Sequence, residues 1–268
     1  MKRSKWDERM RRADQLARAH PFAAEVLQFY TRITSFQQAL YADLESSCGD
    51  AKRARTEGVL RDELDLFILL PKFPQFLALV ETIAPAPLAH SAAELIAQGA
   101  QRWQELLQAC WADSESQPSS AEAVLSRLFL QPYAEFLADY TQKPTSGRVQ
   151  PLCPVCGSRP QAGILRPEGD GGKRSLICSL CANEWEFRRL LCPSCGEENV
   201  EKLVIYTADQ FQHVRIEACD SCHHYIKTID LTKNGNAVPV VDELAAIPLS
   251  LWAEEHGYSK LQTNLLGI

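Results

Sequence analysis

Eight of the ten cysteines in this chain of 268 residues fall into four Cys-x-x-Cys pairs: Cys153/Cys156, Cys178/Cys181, Cys192/Cys195 and Cys219/Cys222. They form two copies of one pattern. Each copy opens with Cys-Pro-x-Cys-Gly, runs on for 21 residues in the first and 23 in the second, and closes with a further pair. Two residues between cysteines let a tight turn aim both sulfurs at one ion, and two such turns complete a tetrahedral S4 site. Sequential pairing makes Cys153, Cys156, Cys178 and Cys181 one ligand set and Cys192, Cys195, Cys219 and Cys222 a second. A crossed pairing of Cys153/Cys156 with Cys192/Cys195 stays open, because only ten residues separate Cys181 from Cys192. The donor set accepts zinc or iron equally.

Disulfides are the rival chemistry, and compartment decides between the two. The segment from Met1 to Met10 starts basic but has no apolar stretch behind it, and Arg11-Arg12 lacks the hydrophobic run of a twin-arginine signal. A cytoplasmic location is predicted, where clustered cysteines bind metal more often than they form structural disulfides. No apolar run approaches the length of a membrane span, so membrane insertion is not expected.

The elements that must position these sulfurs divide the chain as α+β. Residues 1–145 read as an all-α bundle, 146–190 as a first rubredoxin-like or zinc-ribbon-like unit, 191–238 as a second, and 239–268 as a C-terminal helical segment. Val26, Phe29, Tyr30, Ile33, Phe36, Leu40 and Leu44 keep helical spacing with one buried face, and Ile96, Ala100, Trp103, Leu107 and Cys110 repeat it. Ser119 with Glu122 offers a capping box, and Pro132 should break or kink the helix that follows. The apolar run from Leu66 to Leu77, interrupted by Pro71 and Pro74, reads as core, with a partner surface as the alternative. Thr141 to Pro151 has the composition of a linker.

In the ribbons, Ala162–Arg166 and Lys173–Cys178 flank a Gly-rich turn; Leu203–Tyr206 and Phe211–Ala218 repeat the design. Each unit ends in a further strand, Glu184–Arg188 and Tyr225–Leu231, the latter an ordinary ribbon strand. Gly157 and Gly196 follow the second cysteine of their turns, where a left-handed residue is needed. Ala182 and His223 hold the matching places, so those two turns are expected to be strained or differently shaped. Asp242 to Gly257 reads as an amphipathic helix interrupted by Pro248, packed on the ribbons.

Other candidate residues carry little. Cys48 and Cys110 lie far from any second cysteine and read as inert thiols. His20, His90 and His256 have no ligand-like spacing. His223 and His224 adjoin Cys222, but four sulfurs already fill a tetrahedral site. His213 falls on the polar face of the run Phe211, His213, Arg215, Glu217, opposite Val214 and Ile216.

Charge and motif content limit the function classes. From Ser146 to Thr232 there are ten Lys/Arg and eleven Asp/Glu, within a chain of net charge −6. Phosphate binding needs a basic footprint, and four thiolates leave a divalent ion with net negative charge, so nucleic acid is not the expected partner. A patch of Arg159, Arg166, Lys173 and Arg174 is the exception to weigh. Catalytic metal sites keep an open position that S4 sites do not, and no nucleophile, phosphate-loop or dinucleotide motif occurs. No residue is assigned as catalytic, and the chain is not expected to be an enzyme. Electron transfer through two iron tetrathiolate sites remains an alternative.

Four segments together resemble the formate dehydrogenase accessory protein family: Cys153-Pro-Val-Cys-Gly-Ser-Arg-Pro160, Cys178-Ser-Leu-Cys-Ala-Asn-Glu-Trp185, Cys192-Pro-Ser-Cys195 and Cys219-Asp-Ser-Cys-His-His-Tyr-Ile-Lys227. The resemblance continues through Asp230-Leu231, Pro239, Asp242-Glu-Leu-Ala245, Leu251-Trp-Ala253, Gly257-Tyr258 and Asn264-Leu-Leu-Gly267. It implies a non-catalytic, cytoplasmic maturation factor for respiratory formate dehydrogenase, a molybdenum or tungsten enzyme, binding its catalytic subunit before export. It also implies rubredoxin-type iron held by the eight cysteines.

Overall fold

The computed structural model describes residues 4–53, 60–112, 120–141, 150–169 and 171–268, with 48–53 described by their backbone alone. The first helix, α1 (Lys5–Ala19), starts with a capping box: Ser4 Oγ accepts the Asp7 N–H and the Asp7 carboxylate accepts the Ser4 N–H. In α2 (Ala24–Arg53) the expected stripe is inside, with Phe29, Tyr30, Ile33, Leu40 and Leu44 buried.

The run from Leu66 to Ile83 departs from two expectations. It is apolar and long enough to cross a membrane by length and composition. Its prolines nevertheless divide it into α3 (Leu66–Leu69), a 3₁₀ turn and α4 (Phe73–Ile83), whose Phe73, Phe76, Leu77 and Val80 are fully buried in the helical core. Phe67 is exposed. The stripe from Ile96 to Cys110 is not one helix either. Gly99, at φ 79°, ends α5 (Ala86–Gln98) and α6 (Ala100–Ala112) begins beyond it.

The central helix, α7 (Ala121–Tyr140), is capped by Ser120, whose hydroxyl accepts the Ala123 N–H; Ser119 lies outside the described residues. Pro132 does not break it. Proline has no N–H for the carbonyl four residues back, Leu128, and Gln37 on α2 donates its side-chain amide to that carbonyl at 2.7 Å instead. Gln37 also reaches Gln131 Oε1. Every residue from Val124 to Ala138 is buried, which makes α7 the axis of the helical half. Most of the expected linker, and the side chain of Cys48, lie outside the described residues.

The ribbons form one sheet. Strands β1 (Pro160–Glu168), β2 (Gly171–Cys178) and β3 (Glu184–Glu186) are the first unit; β4 (Leu203–Thr207), β5 (Val214–Cys219) and β6 (His224–Asp230) are the second. Their order across the sheet is β3-β2-β1-β6-β5-β4, and β1 runs parallel to β6 with Gly163 opposite Thr228. A Cβ on Gly163 would sit 2.3 Å from Thr228 Oγ1, so the absence of a side chain lets the two ribbons meet.

Two helices follow, α8 (Pro239–Ala245) and α9 (Ile247–Glu255), then β7 (Ser259–Lys260), which pairs with β6. Pro248 sits in the first turn of α9, where its missing N–H costs nothing. Leu249 and Ala253 of α9 pack on Val214, Ile216 and Ile229 of the sheet. Val241, Leu244 and Ala245 of α8 pack instead on Leu16 of α1 and Leu27 and Tyr30 of α2. The C-terminal helices thus lie between the helical half and the sheet.

Buried ion pairs follow the same seam. The Asp242 carboxylate on α8 accepts two hydrogen bonds from Arg12 of α1 and lies 2.7 Å from His213 Nε2, just ahead of β5. His213 therefore does not point into solvent from a polar face. Glu243 is fully buried between Lys227 of β6, at 2.8 Å, and Lys260 of β7, at 2.5 Å, and its second oxygen accepts from Asn264. Arg9 of α1 pairs in a fork with Glu135 of α7.

Candidate metal centres

The eight sulfurs gather into two clusters by sequential pairing. Cys153, Cys156, Cys178 and Cys181 form one and Cys192, Cys195, Cys219 and Cys222 the other, all four sulfurs of each lying within 4.8 Å of one another. The crossed pairing is absent from this structure. Within each cluster the outer cysteine of one turn faces the outer cysteine of the other: Cys153 to Cys181 is 3.7 Å and Cys192 to Cys222 is 3.7 Å. The inner pairs, Cys156 to Cys178 and Cys195 to Cys219, are 3.3 and 3.8 Å apart. A bonded disulfide would bring sulfurs to about 2.05 Å. A tetrahedron of metal–sulfur bonds about 2.3 Å long has edges of about 3.8 Å. The donor set and its spacing therefore fit a four-coordinate ion at each centre, zinc or iron.

The backbone explains how each turn holds that shape. The Cys153, Cys178 and Cys192 N–H groups each donate to the carbonyl five residues on, at Ser158, Asn183 and Glu197, all at 2.9 Å. The residue after the second cysteine is left-handed in all four turns: Gly157 at φ 74°, Ala182 at 51°, Gly196 at 77° and His223 at 56°. The four turns are thus alike in shape, and two of them carry a non-glycine residue that costs about 1 kcal/mol there. The Leu180 and Ser194 N–H groups point at Cys178 Sγ and Cys192 Sγ, each at 3.4 Å, an arrangement that stabilises thiolate.

The two centres differ in setting. All four cysteines of the first are buried, in the same apolar cluster as Phe129, Tyr133 and Trp111 of the helical half. Arg61, in a 3₁₀ turn between α2 and α3, donates to the Cys156 carbonyl at 3.0 Å and to Ser158 Oγ at 2.5 Å, and it reaches the Trp111 carbonyl as well. No spacing in the sequence marks Arg61. In the second centre Cys192 and Cys219 are buried, Cys222 is half-buried and Cys195 is exposed.

Electrostatics show why four thiols in one pocket call for a cation. Hydrogen bonds from Cys153, Cys178 and Cys181 hold Cys156 well below the usual thiol range. Burial pushes Cys178 well above it, while hydrogen bonding to Cys153 and Cys156 raises Cys181. One thiolate is easy to form and the next ones are opposed. At the second centre burial likewise raises Cys192 and Cys222. Cys195 is lowered, because the Glu197 N–H and the neighbouring cysteines outweigh what burial it has.

The remaining candidates fall elsewhere. His223 contributes its backbone to a turn, and His224 Nδ1 lies 3.4 Å from Ser194 Oγ. His20 packs on Phe22 and Phe211, His90 lies near Glu94, and His256 stacks on Trp252. Cys110 is partly buried against the helical core. The basic patch dissolves into pairs: Arg166 with Glu184, Lys173 with Glu186, and a buried Arg174 with Glu217. Arg159 is not free either, and its backbone carbonyl accepts the Ser179 N–H.

Fold and clusters define the class: an α+β protein in which a helical half is followed by a sheet that carries two clusters of four cysteines. Residues 152–189 match the family model for the FdhE central domain, and residues 190–266 the model for the FdhE C-terminal domain. From residue 152 to residue 266, then, the chain is similar to the FdhE family. A protein of Aquifex aeolicus, described as an FdhE homolog, is 35% identical over 140 residues, which cover 52% of this chain and 50% of that one. A Shewanella oneidensis protein so described is 38% identical over 117 residues, 44% of this chain and 38% of its own. The matched region spans half or less of these curated relatives. The crystal structure of the FdhE protein from Pseudomonas aeruginosa superposes with a TM-score of 0.70 over 99% of this chain and 97% of that one, at 23% identity. At that identity the likeness speaks to fold, and it extends over the helical half that the family models leave out.

Proposed function

We propose that this protein is a non-catalytic accessory factor for formate dehydrogenase, acting in the cytoplasm by holding the enzyme's catalytic subunit before export. The observation that carries the reading is the pair of closed S4 clusters set in FdhE-family sequence. Four sulfurs complete a tetrahedron and leave no position for a substrate. An ion held by Cys153, Cys156, Cys178 and Cys181, or by Cys192, Cys195, Cys219 and Cys222, ties the two turns of its ribbon together, and iron would add one-electron chemistry. The chain's own residues then supply a rigid surface built from both halves.

The test is co-purification of the tagged, full-length protein with a formate dehydrogenase catalytic subunit, beside a known FdhE as positive control, followed by elemental analysis. Retention with two ions per chain is expected. Failure to retain the subunit where the control succeeds would sink the reading. A second reading, electron transfer, is favoured by the exposure of Cys195 at the second centre. It requires aerobically purified protein to be coloured by ferric thiolate, and partner affinity to change with redox state; colourless protein rules it out.

A further inference from the structure

Four thiolates leave a divalent ion with a net charge of about −2, and in the first centre that charge is shut away from water: Cys153, Cys156, Cys178 and Cys181 are each at most 3% exposed. Buried charge is tolerated where donors face it. One hydroxyl is placed to do so. Ser158, itself 2% exposed, lies 3.4 Å from the sulfur of the fully buried Cys156. As a thiol, Cys156 donates across that contact. A sulfur bound to an ion has no proton to give, so the same contact then runs from the Ser158 O–H to Sγ. Arg61 fixes this direction. Its Nη2–H donates to Ser158 Oγ at 2.5 Å, and because a guanidinium has donors only, the hydroxyl must accept there and keep its own proton for the sulfur.

Arg61 is held in place for the task. Its Nε–H donates to the Cys156 carbonyl at 3.0 Å, its Nη1–H to the Trp111 carbonyl, and its guanidinium lies 5.8 Å from the centre of the Trp111 ring. Trp111 in turn donates its indole N–H to the Arg61 carbonyl at 2.8 Å and packs on Tyr133 of α7. The second centre offers the comparison. Glu197 stands there in the place of Ser158, two residues after the second cysteine of its turn. Its carboxylate accepts from Ser221 Oγ at 2.5 Å and from the Glu198 and Asn199 N–H groups, and a carboxylate has no proton to donate to Cys195. Cys195 is exposed, so water can donate to it as it cannot to a buried sulfur.

We propose that Arg61 and Ser158 are a positioning pair for the first centre: Arg61 turns the Ser158 hydroxyl onto the Cys156 sulfur, and the hydrogen bond so made tightens the hold on a soft divalent cation, zinc or ferrous iron. The pair also makes the helical half part of the metal site, since the hydroxyl comes from the ligand turn and the guanidinium from the 3₁₀ turn between α2 and α3. The inference stands on the metal centre alone and is independent of the accessory role.

The test uses the full-length protein loaded with cobalt(II), a coloured stand-in for either ion, with Cys153→Ala and Cys195→Ala supplying the spectrum of each centre alone. Ser158→Ala should weaken the first centre about tenfold in chelator competition. It should also move that centre's sulfur-to-cobalt charge-transfer band to longer wavelength, because a sulfur relieved of a hydrogen bond gives up charge at lower energy. The second centre should keep its affinity and its band. Ser158→Thr, which retains the hydroxyl, should restore both readings. Arg61→Met keeps the length and loses the donors, so it should shift the band in the same direction; adding Ser158→Ala to it should cost little more, because the two residues act through one hydrogen bond. Wild-type affinity and band in Ser158→Ala overturn the proposal, as does a Ser158→Thr protein as weak as Ser158→Ala, which would make the position one of packing alone. Loss at both centres together also overturns it, since a loosened fold would then be the cause. An unmoved band in Arg61→Met overturns the role given to Arg61, and should that variant not fold, the Ser158 pair still decides.

Discussion

At the scale of single residues, the two candidate metal centres present four cysteines each in the same turns but stand in different surroundings. Water and chelators reach an ion by way of an exposed sulfur, and Cys195 is exposed where all four cysteines of the first centre are buried. Chelator challenge of the two-ion protein should therefore release metal in two phases, the fast one abolished in Cys195→Ala and the slow one in Cys153→Ala, as followed by elemental analysis. A single phase would contradict the difference. Cys153→Ala should also lower the thermal midpoint more, because it opens a cavity in the helical core as well as losing an ion. Gln37 provides a second residue-scale test. Gln37→Leu keeps the volume but leaves the Leu128 carbonyl buried without a donor, which should cost about 1–3 kcal/mol in urea unfolding. Leu128 itself shows why Pro132 does not end the helix. A proline's damage to a helix is local, whereas its remedy here comes from Gln37, 91 positions from Leu128 in the chain.

At the scale of elements, what was legible followed local rules. The Cys-x-x-Cys turns, the Gly-rich hairpin and the apolar stripe of α2 are each written within a few neighbouring residues. The joining of the ribbons was not legible. Parallel pairing of β1 with β6 leaves no periodic mark in either strand, and only Gly163 hints that something must approach closely. Gly163→Ala should therefore destabilise the protein by about 1–3 kcal/mol through overpacking against Thr228. Thr228→Ala in that background should recover part of the loss in denaturant unfolding, since it removes the nearest atom. An unchanged midpoint in Gly163→Ala would show that the strands can shift apart freely. Helix ends were read less well than helix faces. Gly99 sits inside a stripe that keeps its spacing across the break, so periodicity alone ran α5 into α6.

For the whole molecule, the ion pairs that join helices, sheet and C-terminal segment were invisible in sequence, because a buried Glu reads like any exposed one. Burial opposes ionisation of Glu243, yet Lys227 and Lys260 hold its carboxyl down at about 2, against an ordinary 4.5. A carboxyl lowered on folding stabilises the protein above its unfolded value and ceases to do so as pH falls through its folded one. Stability should accordingly drop from about pH 4.5 toward pH 2, with Glu243→Gln showing a shallower fall over that window in urea titrations at stepped pH. The variant should also be less stable at neutral pH, as two buried ammonium groups lose their counter-charge. If wild type and variant trace parallel curves between pH 4.5 and 2, the acid sensitivity originates elsewhere.

The Arg12–Asp242–His213 junction bears on how the chain comes to be folded at all. Domains generally fold as they emerge during synthesis, N-terminal parts first. Here the acceptor for Arg12 is made 230 residues later, and the face of α1 and α2 that receives Val241 and Leu244 stays uncovered until then. The helical half therefore spends that whole interval of translation with an apolar surface in water, and a segment made long after it is the one that closes it.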